Sequence, residues 1–124
     1  MALYLTTSAT YKIATDSTLA QLVASRSLSV TESVDLEEAV THHLEVADAA
    51  SDIAVSMGGL TTCKSLLVIS DRQVSIKIDG QSVTIGHTAT EGGSLLLPAC
   101  SFAALLVSNA SGAVANVYVC MAGV

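Results

Sequence analysis

His42 and His43 stand side by side, His87 follows, and Cys63, Cys100 and Cys120 complete the set of residues that favour zinc. Adjacent residues on a strand point to opposite faces, so His42 and His43 can hardly ligate one ion. No Cys-x-x-Cys or His-x-x-x-His pair exists to replace them. The same residues with an acid could form a nucleophilic triad, in which an imidazole activates the thiol and a carboxylate orients the imidazole. Here Cys120 falls inside an alternating apolar run and Cys63 near the start of another, positions where cysteine acts as a small apolar residue. Three cysteines at wide spacing fit buried thiols in a reducing compartment, shielded and slow to label. Glu45, Asp48 and Asp52 are close enough in the chain to surround a calcium ion, but the regular loop with its central glycine is missing. They read as a solvated acidic loop, with a cation bridging subunits as the alternative. Gly58-Gly59 and Gly92-Gly93 lack the Lys-Ser/Thr of a phosphate loop and read as turns. Asn109-Ala110-Ser111 matches a glycosylation acceptor without a secretory signal to give it consequence. No catalytic, cofactor-binding or metal-binding residue is assigned on these grounds, no cofactor is expected, and the chain is not read as an enzyme.

The charge balance narrows the partners. Eleven acidic residues against five basic ones give a formal charge of −6, which repels phosphate backbones and anionic headgroups, so neither nucleic acid nor a membrane surface is expected as a partner. Glu32, Asp35, Glu37, Glu38, Glu45, Asp48 and Asp52 crowd one stretch without a single Lys or Arg, as a solvated face would. Only Tyr4, Tyr11, Phe102 and Tyr118 are aromatic, which weakens recognition of single-stranded nucleic acid or sugars by stacking.

The elements that must position these residues are short and alternating. Val74-Ser75-Ile76-Lys77-Ile78-Asp79 has the two-residue period of a half-buried strand, Asp79-Gly80 suits a tight hairpin turn, and Val83-Thr84-Ile85 resumes the alternation. Ser65–Ser70, Ser94–Leu97 before Pro98, Ala104–Ser108 and Val114–Met121 read as further strands. In the last of these Val117, Val119 and Met121 take one side, Tyr118 and Cys120 the other. Ser27–Ser33, Val40–Val46 and Asp52–Met57 show partial alternation and are read as strands. Thr18–Ser25 places Leu19, Leu22 and Val23 at helical spacing behind Asp16 and Ser17, which predicts one short helix. The expected fold is all-β, an antiparallel β-sandwich of jelly-roll type, with an extended N-terminal arm over 1–15 and a single sandwich domain over 16–124.

With 124 residues, 51% of them apolar, the chain has the composition of one compact domain, and its positive mean hydropathy is high for so short a chain. Apolar surface is therefore expected to meet another subunit. No apolar run reaches the roughly 20 residues that span a bilayer, and Met-Ala-Leu-Tyr lacks the basic region of a signal peptide, so synthesis in the cytosol is expected.

From about residue 55 to 123 the turn and strand motifs follow one another in a recognisable order. Val-Ser-Met-Gly-Gly-Leu precedes Leu-Leu-Val-Ile-Ser-Asp and Val-Ser-Ile-Lys-Ile-Asp-Gly. Gly-Gly-Ser-Leu-Leu-Leu-Pro, Leu-Leu-Val-Ser-Asn-Ala-Ser-Gly and Ala-Asn-Val-Tyr-Val-Cys-Met-Ala-Gly complete the series. This stretch, just over half the chain, resembles small all-β virion structural proteins of tailed bacteriophages, found in heads, necks and tails. Arg72-Gln73 departs from the pattern, standing where a Gly-Pro turn is more usual. The resemblance implies a multi-copy subunit of the virion, made in the host cytoplasm: a capsid decoration or cement protein, or a neck or tail component. Its implied partners are further copies of itself and other virion proteins, the major capsid protein or neck and tail proteins. A host-facing fibre or carbohydrate-binding β-sandwich module is the alternative.

Overall fold

The computed structural model describes residues 3–18, 20–36 and 38–124, with side chains described except at 3, 4, 23, 26 and 28–36. Every regular element among them is a strand: β1 (Leu3–Ala14), β2 (Leu22–Leu36), β3 (Glu38–Val46), β4 (Ile53–Ala54), β5 (Cys63–Ser70), β6 (Val74–Ile78), β7 (Gln81–Ile85), β8 (Gly93–Leu97), β9 (Leu105–Ser108) and β10 (Ala115–Gly123). The all-β class and antiparallel packing anticipated from the alternation are therefore present. The chain forms two compact units, Leu3–Val34 and a second that begins at Asp35 and runs to Val124.

The first unit is a hairpin in which β1 and β2 make a two-stranded sheet. The segment expected as an arm over 1–15 is thus, from Leu3 to Ala14, a paired strand, and its partner comes from the region assigned to the sandwich domain. The short helix expected over 18–25 is absent, since β2 already begins at Leu22. Asp16 explains the difference. Its carboxylate accepts the Thr18 hydroxyl and the amides of Ala20 (3.2 Å) and Gln21 (2.8 Å), while Thr15 N–H donates to Gln21 O (3.1 Å). The short acidic side chain that could cap a helix here closes a turn instead, as Asp does in both settings. Two helical turns without a packing partner would not have survived on their own.

The second unit is a sandwich of two four-stranded sheets, β3-β10-β5-β8 and β4-β9-β6-β7. β3 pairs with β10, β4 with β9, β5 with β8 and β6 with β7, all antiparallel. The first four strands therefore pair with the last four in reverse order, as in one long hairpin bent at residues 79–80 and rolled so that successive pairs alternate between sheets. Register places Val117, Val119 and Met121 of β10 beside Ser70, Val68 and Leu66 of β5, in that order. From the other sheet Val74, Ile76, Leu105 and Val107 complete the buried interior. Each such side chain contributes roughly 1.5–3 kcal/mol by leaving water.

Turns hold the strands in this order. Asp79 and Gly80 both have positive φ, 45° and 85°, and Ile78 pairs with Gln81, so the two-residue loop has the twist that closes a hairpin. Asp79 Oδ1 also accepts the amides of Ala103 (3.2 Å) and Ala104 (3.0 Å), tying this hairpin to the β8–β9 connection. At Gly92 a Cβ would collide with the Ser70 carbonyl, so the close approach of two chain segments explains that breaker. At the departure from the expected Gly-Pro turn, Arg72 donates from Nε to Ser111 Oγ (2.9 Å) and from Nη2 to Ser111 O (3.0 Å), clasping the β9–β10 loop.

Ile76, fully buried between the sheets, provides a graded test of this packing. Ile76→Val is expected to cost about 0.5–1.5 kcal/mol and Ile76→Ala about 2–5 kcal/mol in urea unfolding. A negligible effect of the alanine would place Ile76 outside the core.

Candidate functional site

The outward-facing residues of β10 alternate with its core residues: Asn116, Tyr118, Cys120 and Ala122. Tyr118 lies between His43 of β3 and Ile69 of β5, and Cys120 between Thr41 and Leu67. Leu67 in turn stands opposite Leu96 of β8. Tyr118 and Ile69 are 48% and 46% exposed, so the centre of this sheet presents an apolar band to solvent.

A polar clamp fixes one end of the band. Asp71 Oδ1 accepts the Asn116 amide N–H (2.8 Å), Asp71 Oδ2 accepts the Asn116 side-chain NH2 (2.9 Å), and Asp71 N–H donates back to Asn116 O (3.2 Å). With its NH2 so engaged, Asn116 offers Oδ1 to His43 Nε2 at 3.1 Å, which makes Nε2 the protonated nitrogen. His43 then stacks on Tyr118 with ring centroids 4.5 Å apart and planes 9° from parallel. The donors on Asn116 hold the Asp71 carboxyl below its ordinary value, the side-chain bond contributing most.

The zinc and triad candidates are not brought together. His42 faces the inner side of β3, where Nε2 meets Ser56 O at 2.8 Å, while His43 faces out and His87 lies in the exposed β7–β8 connection. Cys63 is buried, its thiol donating to Ser65 O (3.0 Å), and Cys100 is half-buried with its sulfur 3.9 Å from Cys63 O. Burial pushes the Cys63 thiol up. Burial, with the Cys63 thiol beside it, pushes Cys100 up to about 12. Both are poor nucleophiles at neutral pH. Cys120 corrects the expectation that all three are shielded, because it lies exposed on the outer face. The alternation that buries Val119 and Met121 turns the residue between them outward.

The acidic loop is also dispersed. Glu45 lies on β3 opposite Asn116, Asp48 accepts the Gly112 amide (2.9 Å), and Asp52 pairs with Lys77 at 3.1 Å. Among the described residues no group of three or more His, Cys, Asp or Glu could hold a metal ion. Asn109 is buried, and its side-chain NH2 donates to Val46 O (2.9 Å) and Ala113 O (2.8 Å), so the folded chain cannot present it for glycosylation.

The opposite outer face differs in chemistry. Thr84, Ser75 and Ser108 stand side by side across β7, β6 and β9. Together with Ser51 and Gln73 they line a cleft of about 280 Å³ whose remaining walls include Ala49, Ala50 and Ala110. The polar half of each strand's alternation signals such a face, but the register that aligns three hydroxyls does not appear in any one segment.

Among the described residues no helix is long and apolar enough to cross a membrane. Comparison with protein-family models, with curated proteins and with solved structures finds no match to this chain.

Two measurements check this geometry. In the dispersed native protein one thiol, Cys120, is expected to react rapidly with a disulfide reagent, with Cys63 and Cys100 reacting only after denaturation. Rapid loss of two or three native thiols would contradict the burial. Because its folded pKa is lowered, the Asp71 interaction contributes fully at neutral pH and is lost as pH falls through that lowered value. Its carboxyl should titrate by NMR below a free aspartate in the native protein and move back towards the ordinary value in Asn116→Ala. An ordinary wild-type titration would dissolve the clamp.

Proposed function

We propose that this protein is a multi-copy structural subunit of a tailed-bacteriophage virion, a capsid decoration or cement protein or a neck or tail component, that works by subunit contact. The observation that carries the reading is the apolar band of Tyr118, Ile69, Leu67 and Leu96 on the outer face of β3-β10-β5-β8. Such a band on so small a body is expected to be covered, and an aromatic residue at its centre matches the composition of interface cores. The pairing of β3–β6 with β10–β7 in reverse order supports reading the sandwich as a jelly roll, a fold found in viral capsid and lectin domains alike, and is consistent with the resemblance of residues 55–123. In this reading the partners are copies of the chain and neighbouring virion proteins. The place of work is the virion, after synthesis in the host cytoplasm, and the task is mechanical rather than catalytic.

The cleft beside Thr84, Ser75 and Ser108 favours a second reading, a host-facing carbohydrate-binding module, since hydroxyl groups over small apolar walls suit a neutral hydroxylated ligand. Binding of the full chain on a glycan array, lost in Ser75→Val, would favour this alternative.

The leading reading is tested by light scattering across a concentration series. Wild type is expected to self-associate. Tyr118→Ser combined with Ile69→Ser removes two apolar contacts of roughly 1.5–3 kcal/mol each and should weaken association on the order of 100-fold or more. The melting temperature measured where both forms are monomeric should change little, because both side chains lie outside the core. A wild type that stays monomeric, or a double variant that associates unchanged, would overturn the assignment of this face.

A further inference from the structure

We propose that the β1–β2 hairpin of one copy adds onto the free edge of β3 in a second copy, extending its four-stranded sheet. The inference rests on the reading of the chain as a self-assembling subunit and names the partner and the contact.

The hairpin needs a partner. A two-stranded ribbon is marginally stable at best in water, and stability ordinarily requires a third strand or a surface to pack on. Among the described residues β1 and β2 pair only with each other. Tyr11, Ile13 and Leu22 on these strands are 66%, 44% and 47% exposed. Tyr11 and Ile13, two residues apart, share a face.

The edge of β3 needs a cover. β3 ends its sheet with nine residues in unbroken register with β10, so a full row of main-chain groups points outward. Natural edges of that length are blunted by proline, charged side chains (lysine above all), a bulge or shortening. The sequence Glu-Ala-Val-Thr-His-His-Leu-Glu-Val has no proline, lysine or bulge, and its two charges, Glu38 and Glu45, stand near its ends and leave the six residues between them uncharged. The other edges of the sandwich are poorer templates: β7 and β8 have five residues each, and β4 has two. Only β3 approaches the twelve residues of β1.

Charge selects a second copy as the occupant. Residues 3–34 contain Lys12 and Arg26 against Asp16 and Glu32 and are neutral as a unit. The whole −6 therefore resides in residues 35–124, where nine acidic residues face Lys64, Arg72 and Lys77. Contact between two sandwiches opposes like charges, whereas a neutral hairpin meets an acidic sandwich without that penalty. Lys12 is exposed on β1 and Glu45 is exposed on the outer face near the end of β3, which supplies an opposite-charge pair to the new ladder, whereas Glu38 lies on the other face and accepts the Gly59 amide at 3.3 Å. Strand addition of this kind gains main-chain hydrogen bonds, with side chains setting the register.

The test uses the full chain in ¹⁴N and ¹⁵N forms, mixed at low concentration, reconcentrated and treated with a zero-length carbodiimide cross-linker. Lys12 is expected to join Glu45 in peptides of mixed isotope. Hydrogen exchange supplies a second readout: the β3 amides that point away from β10 should be protected in the assembly and lose protection in Tyr11→Lys with Ile13→Lys, while β10 amides and the β3 amides bonded to them remain protected in both. If assembly persists but Lys12 links only within one isotope or not at all, the strand addition is overturned and the structural reading stands. If protection of the outward-pointing β3 amides survives the double lysine variant, the strand addition is overturned likewise. A chain that is monomeric at every concentration overturns both.

Discussion

The sandwich depends on the two-sided pairing of its last strand. β10 is hydrogen-bonded to β3 on one side and to β5 on the other, so residues 117–122 are committed in both directions at once. That double commitment fixes which side chains face inward, because a slip of one residue would exchange Val117, Val119 and Met121 for Tyr118 and Cys120. The sheet is held in register by its hydrophobic pattern. The opposite sheet gains the same discipline from β6, paired with β7 through a two-residue turn and with β9 on its other flank.

Polar residues in this fold serve the connections between strands. Asn109 is buried and places one side-chain donor pair on the carbonyls of Val46 and Ala113, joining the end of β3 to the β9–β10 loop. Arg72 reaches the same loop from the β5–β6 turn, and Asp48 holds the Gly112 amide in it. A buried amide left without such partners would be costly, so the apolar core and these loop locks stand or fall together. Of the acidic residues that in sequence look like a cation cage, Asp48 is spent on the Gly112 amide and Asp52 on Lys77, while Glu45 stands apart on β3 opposite Asn116.

The sequence reveals what is local and conceals what is remote. Val74–Ile78, Asp79-Gly80 and Val114–Met121 could be read because their period and turn chemistry are contained in a few adjacent residues. Asp16 misled, because the carboxylate that caps a helix also closes a turn, and the choice depends on whether the following strand finds a partner. Cys120 was misplaced by residue type, although the alternation around it already pointed outward. The stack of His43 on Tyr118 and the clamp of Asp71 on Asn116 join residues 75 and 45 positions apart, and only the pairing register brings them into contact. The hydroxyl row of Thr84, Ser75 and Ser108 is hidden for the same reason.

The two outer faces of the sandwich follow from this division. On each strand the core claims every second residue, and the remaining residues are free to vary without loss of fold. In β5, β8 and β10 those free positions include Leu67, Ile69, Leu96 and Tyr118 beside the more polar Ser94, Asn116 and Cys120, while in β6, β7 and β9 they include Ser75, Lys77, Ser82, Thr84 and Ser108 with one apolar residue, Leu106. Folding alone would be served equally well by polar residues on both faces, and solubility would be served better. An apolar outer face therefore carries a cost in the isolated chain that the fold gives no reason to bear. That cost disappears once the face is covered, and the proposed subunit contact rests on this difference between the two sheets.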